Sequence, residues 1–169
     1  EETMKKLLTT ALVTGVLATA ASVASAGEIA VIVKTTNSSF WQNVNKGASA
    51  AIEGHSEHTM TFNGPASESA IADQVALVEN AINRGVAGIV LAPSDPEALA
   101  PVVRRAFEAG IPMAIIDSGL AEGSEQYYQA FLSTDNCAAG EQAAQMMIDN
   151  TGKEGKVAVM SYVAGVGSE

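Results

Sequence analysis

Cysteine, aromatic rings and positive charge are all scarce in this chain, and each scarcity removes a class of function. A single cysteine, Cys137, among 169 residues rules out an internal disulfide. Its position at a predicted helix start makes it a small buried apolar residue. Nine Lys and Arg stand against 19 Asp and Glu, for a formal charge of −10. So acidic a chain repels phosphate backbones and anionic lipid, which argues against nucleic-acid and membrane-surface roles. Aromatic residues make up only 5% of the sequence. The phosphate loop GxxxxGK[ST] and the hydrolase elbow GxSxG are both missing. Gly165-Val166-Gly167 follows a predicted strand without a third glycine, and the HxxH of His55 and His58 falls at the sheet edge away from any site. No metal or cofactor is expected.

What the chain does contain is export information and a strand–helix rhythm. Residues 4–26 read as a signal peptide. Lys5-Lys6 form the positive start, a weak apolar stretch follows, and Ala24-Ser25-Ala26 gives the small-x-small cleavage pattern. The stretch is diluted by Thr and Gly and lacks a stop-transfer flank, so it is a poor membrane span. Gly27, not cysteine, follows the cut, so no lipid anchor is indicated.

Beyond it, 47% hydrophobic content carried by Ala, Val and Ile suits buried parallel strands with close-packed helices. Apolar runs at 28–34 (EIAVIVK), 58–63, 86–92 (VAGIVLA), 112–117 (PMAIID), 129–134 and 156–162 read as strands, with 86–92, the most apolar, in mid-sheet. Helical periods occupy 40–53, a segment opening at Ser67 or Glu68 and closing at Gly85, 95–110, and 136–150. Asp95-Pro96-Glu97 is a helix-start signature. Short connections between alternating strands and helices imply an α/β, doubly wound, mostly parallel sheet. Ligands of such sheets bind beyond the carboxyl ends of the strands.

Those strand ends hold the candidate chemistry. Residues 34–41 (KTTNSSFW) put Lys34, hydroxyls, the Asn37 amide, and Phe40 with Trp41 on the first strand–helix turn. Flat rings and polar groups together suit a sugar or polyol. The same rings also fit as a plug over the core, since both lie near the Val44 stripe, and Ser38 or Ser39 fits as a helix cap. Asp117 ends an apolar strand at the same edge, with Ser118-Gly119 keeping the approach open. A carboxylate there can accept two sugar hydroxyls, each charge-assisted bond contributing about 1.5–3 kcal/mol.

In this order and spacing, IAVIVK followed by NSSFW, then QVALVENAINRGVAGIVLAP, AGIPMAIIDSG and STDN, the mature chain resembles periplasmic sugar-binding proteins of the ribose-binding type. These are the solute receptors of ABC importers. The resemblance implies a type I periplasmic binding protein fold: an N-terminal lobe at 27–134, then a hinge and the first helix–strand of a second lobe at 135–169. It implies ligand roles for Lys34, Asn37 or Ser38, Phe40, Trp41 and Asp117, with Ser118 beside them. It also implies a membrane permease as partner, with a chemoreceptor as a second possible one, and no enzymatic step. Two departures argue against ribose itself: Ser38-Ser39 replace an asparagine before the aromatic pair, and Ser118 stands where an arginine often follows the aspartate. Family members run to about twice this length, and the resemblance places a sugar-binding arginine and the return hinges beyond Glu169. The competing readings are an exported α/β hydrolase using Asp117 and Asp135 as a carboxylate pair, and a ligand-presenting sensor module.

Overall fold

In a computed structural model that describes residues 27–160, one five-stranded parallel sheet runs in the order β2-β1-β3-β4-β5. Its strands are β1 (Glu28–Ile32), β2 (Thr59–Asn63), β3 (Gly88–Leu91), β4 (Met113–Ile116) and β5 (Ala130–Leu132). The helices α1 (Ser39–Ile52), α2 (Ile71–Arg84) and α3 (Pro96–Glu108) connect the first four strands. A 3-10 turn at Glu125–Tyr127 precedes β5, and α4 (Asn136–Thr151) follows it. As its composition implied, β3 is the central strand.

Alternation along the strands divides the core by face. Ala30, Ile32, Ile89, Leu91, Met113 and Ile115 point to one side, where Val78 and Ala81 of α2 and Leu99, Val102, Val103 and Ala106 of α3 cover them. On the other side Val31, Val33 and Ala92 pack beneath Trp41 of α1. Helix ends follow local chemistry. The Asp95 carboxylate accepts from the backbone N–H groups of Glu97 and Ala98, and α2 stops at Gly85, whose φ of +65° is the left-handed conformation glycine tolerates. Pro101 lies inside α3.

Three expectations change. Helix α2 opens at Ile71, not at Ser67 or Glu68, because Ser67 to Ala70 first close a turn in which Ala70 N–H donates to the Ser67 carbonyl at 3.1 Å. The turn before β5 carries no strong sequence signal. Cys137 is exposed, since α4 buries no residue against the sheet. Residues 156–160 form no strand: Val159 and Met160 are almost fully exposed, and no ladder partner stands beside them among the described residues. The signal-peptide segment, the last two residues of that expected strand and the Gly165-Val166-Gly167 turn lie outside the described residues.

Candidate functional site

The carboxyl ends of β1, β3 and β4 carry a cluster of polar groups that the sheet shields from water. Lys34, two residues past β1, is almost fully buried, with a side chain only 3% exposed. A buried ammonium is costly unless paired and hydrogen-bonded. Here it meets Asp117 Oδ2 at 2.7 Å and donates to Ser118 Oγ at 2.6 Å, while Ser118 Oγ itself donates to Asp117 Oδ2 at 3.1 Å. Lys34, Asp117 and Ser118 therefore belong to one network. Ser118 is buried with the lysine, whereas the Asp117 side chain keeps a quarter of its surface open.

Asp117 also sits in an uncommon backbone conformation. Its φ is +66°, the one positive value at a non-glycine residue among those described. Ser118 N–H donates to the Ile116 carbonyl at 2.8 Å, which makes 116–118 a γ-turn centred on the aspartate. Left-handed backbone costs an L-residue about 1 kcal/mol, least for Asp and Asn. Neighbouring chain holds it there. Asp117 N–H donates to the Leu132 carbonyl at 2.9 Å, and Ser133 Oγ donates to the Asp117 carbonyl at 2.5 Å. Strain held this way aims a functional group, because an ordinary strand end would send the carboxylate elsewhere.

The first strand–helix turn meets this cluster from α1. Ser38 is the helix cap, its hydroxyl accepting from Trp41 N–H at 3.3 Å. Asn37 donates from Nδ2 to the Ala66 carbonyl at 3.0 Å, which ties the turn to the loop after β2. That loop passes close: a Cβ on Gly64 would lie 2.8 Å from the Val33 carbonyl oxygen, so glycine is required there. The two rings separate in role. Trp41 is 2% exposed, packs in the core and donates from Nε1 to Glu68 Oε1 at 3.1 Å. Phe40 is 56% exposed and meets Trp41 edge-to-face at 4.8 Å.

Phe40, Trp41, Val44, Ile116, Asp117, Leu132, Ser133 and Thr134 line one open cleft of about 340 Å³. That is within the range of small-ligand pockets, roughly 300–1,000 Å³. A hollow of about 350 Å³ along α4, lined by Met147, Ile148 and the segment after the helix, touches no strand end. Of the sequence-predicted residues, Phe40, Trp41 and Asp117 reach the cleft directly. Lys34 and Ser118 stand behind Asp117, while Asn37 and Ser38 are engaged in holding the turn. Asp135, half of the alternative carboxylate pair, caps α4 by accepting from Ala138 N–H at 2.9 Å. Two residues were missed. Ser133 lines the cleft and grips the Asp117 backbone, and Gln74 is a fully buried amide bonded to the ends of β1 and β3.

Residues 29–168 match the family described as a periplasmic binding protein domain. The chain belongs to that family. Periplasmic binding proteins are solute-binding proteins, and the relatives of this one bind sugars. A D-allose-binding periplasmic protein of Escherichia coli K12 is 32% identical over 83% of this chain and 47% of its own length. A ribose import binding protein of Bacillus subtilis is 28% identical over 81% of this chain and 43% of its own. Among solved structures, an ABC transporter solute binding protein from Agrobacterium vitis with bound D-fucose is 68% identical. It superposes with a TM-score of 0.83 over 85% of this chain and 49% of that one. A carbohydrate-transporter solute binding protein from Agrobacterium radiobacter in complex with D-arabinose is 33% identical, with a TM-score of 0.76 over 84% and 48%. This periplasmic binding protein chain thus spans about half the length of the relatives it matches. Nothing among them supports the hydrolase reading.

Proposed function

We propose that this chain carries the first lobe of a sugar receptor for an ABC importer. Residues 27–134 form the lobe, and residues from 135 lead through a hinge into the second. The protein is exported through the 4–26 signal, works in the periplasm, and hands a neutral monosaccharide to a membrane permease without changing it chemically.

One observation carries the reading: an exposed ring, Phe40, and a braced carboxylate, Asp117, open onto the same cleft. The ring covers the apolar face of a pyranose. Lys34 and Ser118 both bond to Asp117 Oδ2, which leaves Oδ1 to accept sugar hydroxyls. The ammonium is already matched by Asp117, and no Lys or Arg is among the described residues that line the cleft, which suits a neutral sugar. Ser118 in place of the arginine of ribose-type receptors turns the choice away from ribose. The 68% identical relative with bound D-fucose makes D-fucose the first sugar to try.

Isothermal titration of the exported protein against D-fucose, D-arabinose, D-allose and D-ribose tests the proposal. The expected result is tightest binding of D-fucose and weaker binding of ribose. Absence of heat with every sugar and polyol tried would overturn it.

A further inference from the structure

The strand order β2-β1-β3-β4-β5 reverses between β1 and β3. Such a reversal opens a crevice at the carboxyl ends of the two strands, since the chain leaves them toward opposite faces of the sheet. Here α1 covers one face while α2 and α3 cover the other. The crevice is where open α/β sheets commonly take their ligand, yet in this chain a side chain fills it.

Gln74, in the first turns of α2, is fully buried. Its Nε2 donates to the Val33 carbonyl at 3.1 Å and to the Ala92 carbonyl at 2.8 Å, and its Oε1 accepts from Ser94 N–H at 2.8 Å. Both amide donors are spent, so the cost of burying the group is offset. Packing alone does not call for glutamine, because the other buried residues of α2 are Val78 and Ala81. What the amide supplies is a fixed spacing between two strand ends. The paired register stops at Ile32 and Leu91; just beyond it Ala92 N–H still donates to the Ile32 carbonyl at 2.9 Å, and Gln74 adds the bridge between the Val33 and Ala92 carbonyls.

The residue after Val33 is Lys34, whose side chain crosses to the end of β4 and meets Asp117. The residues after Ala92 are Pro93, Ser94 and Asp95, the cap of α3. Val33 is tied on both sides, its N–H donating to the Asn63 carbonyl at 2.9 Å and its carbonyl accepting from Gln74, and the height of Lys34 above the sheet depends on both ties. The geometry points to Gln74 as a positioning residue of the sugar site. It closes the β1–β3 crevice and sets Lys34 at the height from which its ammonium grips Asp117. Ligand is thereby directed to the Phe40 and Asp117 side of the sheet edge. Gln74 itself touches no ligand. The inference rests on the reading of Asp117 as the sugar acceptor, though the bracing of Lys34 is independent of it.

The experiment pairs Gln74→Asn and Gln74→Met with Lys34→Met in a double-mutant cycle on the exported protein. The asparagine is too short to reach all three partners, and the methionine keeps the volume but pairs none of them. Either variant should weaken D-fucose about tenfold when Lys34 is present and less than about twofold in the Lys34→Met background. In sugar-free protein, NMR signals of the Lys34 ammonium and the Asp117 carboxyl should shift in both Gln74 variants. Equal loss of affinity in both backgrounds, or unmoved Lys34 and Asp117 signals beside a lowered Tm, would reduce Gln74 to a structural brace and overturn the inference. If Gln74→Met does not fold, Gln74→Asn decides. A parent protein that binds no sugar would refute the proposed function, while the NMR comparison would still settle the part played by Gln74.

Discussion

At the carboxyl end of the sheet Lys34 meets Asp117 at 2.7 Å, and at the amino end Arg84 meets Glu28 at the same 2.7 Å. The distances match, but the surroundings do not. The lysine is 3% exposed, while the Arg84 side chain is 47% exposed and in contact with water. A pair of the first kind costs several kcal/mol in desolvation per ion, a cost that hydrogen bonds such as the one to Ser118 help to offset. A pair of the second kind costs little and contributes little. The carboxyl end also holds the strained φ of Asp117 and the buried amide of Gln74. Burial, strain and desolvated charge thus collect at the end that opens onto a cleft. The amino end is tied with ordinary surface interactions. On the proposed reading, the contrast separates residues kept for binding from residues kept for stability.

The two aromatic residues of the carboxyl end offer the largest test. Trp41→Ala removes a core ring and should destabilise the lobe by about 3–5 kcal/mol in urea unfolding. Phe40→Ala removes a ring already half in water and should cost under about 1 kcal/mol of stability. It should still weaken sugar binding about tenfold in calorimetry. Equal destabilisation by both substitutions would erase the distinction between plug and platform.

Next comes the buried pair. Asp117→Ala removes the carboxylate that balances the buried Lys34 charge and should cost about 3 kcal/mol as well as sugar binding. Asp117→Asn keeps an acceptor for Lys34 and a side chain tolerant of positive φ, so its stability loss should be smaller. Its sugar affinity should still fall, by the roughly 1.5–3 kcal/mol of a charge-assisted bond. Urea midpoints and titration on the same samples separate the two quantities. An Asp117→Ala protein as stable as its parent would mean that Lys34 is not held as the contrast requires.

Much of this end was readable from the chain, because its signals are local. Asp95-Pro96 reads as a helix start and Asp117 as a strand terminus, and both places follow from neighbours within a few residues. Gln74 was not readable. It stands one position before Val75 in an apolar stripe, where a glutamine passes for a neutral helix residue, and its carbonyl partner Val33 lies 41 residues away. Trp41 was ambiguous for a related reason: it belongs both to the helical stripe and to the polar turn, and only packing decides between them. The apolar run at 156–162 reads as a strand, but a strand exists only where a ladder receives it. None of the five strands beside it does so among the described residues.

A smaller effect belongs to the cap at the same carboxyl end. Asp95→Ala removes the acceptor for two backbone N–H groups at the start of α3 and should cost about 1 kcal/mol. Asp95 does not line the Phe40 cleft, so D-fucose affinity should be unchanged in the same protein. A parallel loss of affinity would extend the binding end further along the sheet edge.

The amino-end pair supplies the smallest effect and the cleanest sign. Arg84 forks onto Glu28, Nη2 to Oε1 at 2.7 Å and Nε to Oε2 at 3.2 Å, and Thr61 Oγ1 donates to Oε1 at 2.7 Å. The Arg84 bonds first, and the Thr61 bond second, hold the Glu28 carboxyl below its ordinary value of 4.5. A carboxyl depressed by folding gives stability that is fully present above its unfolded pKa and is lost as pH falls through its folded pKa. Both partners remain partly in water, so the whole contribution should stay under about 1 kcal/mol. Urea midpoints of the parent and of Glu28→Gln should therefore differ most at neutral pH and converge as the pH falls through the lowered folded pKa, where the parent carboxyl becomes neutral too. Salt at about 1 M should shrink the gap at neutral pH, because the pair is open to screening. A gap that widened on acidification would reverse the assigned sign, and a gap of several kcal/mol at neutral pH would mean that the amino end, too, relies on desolvated charge.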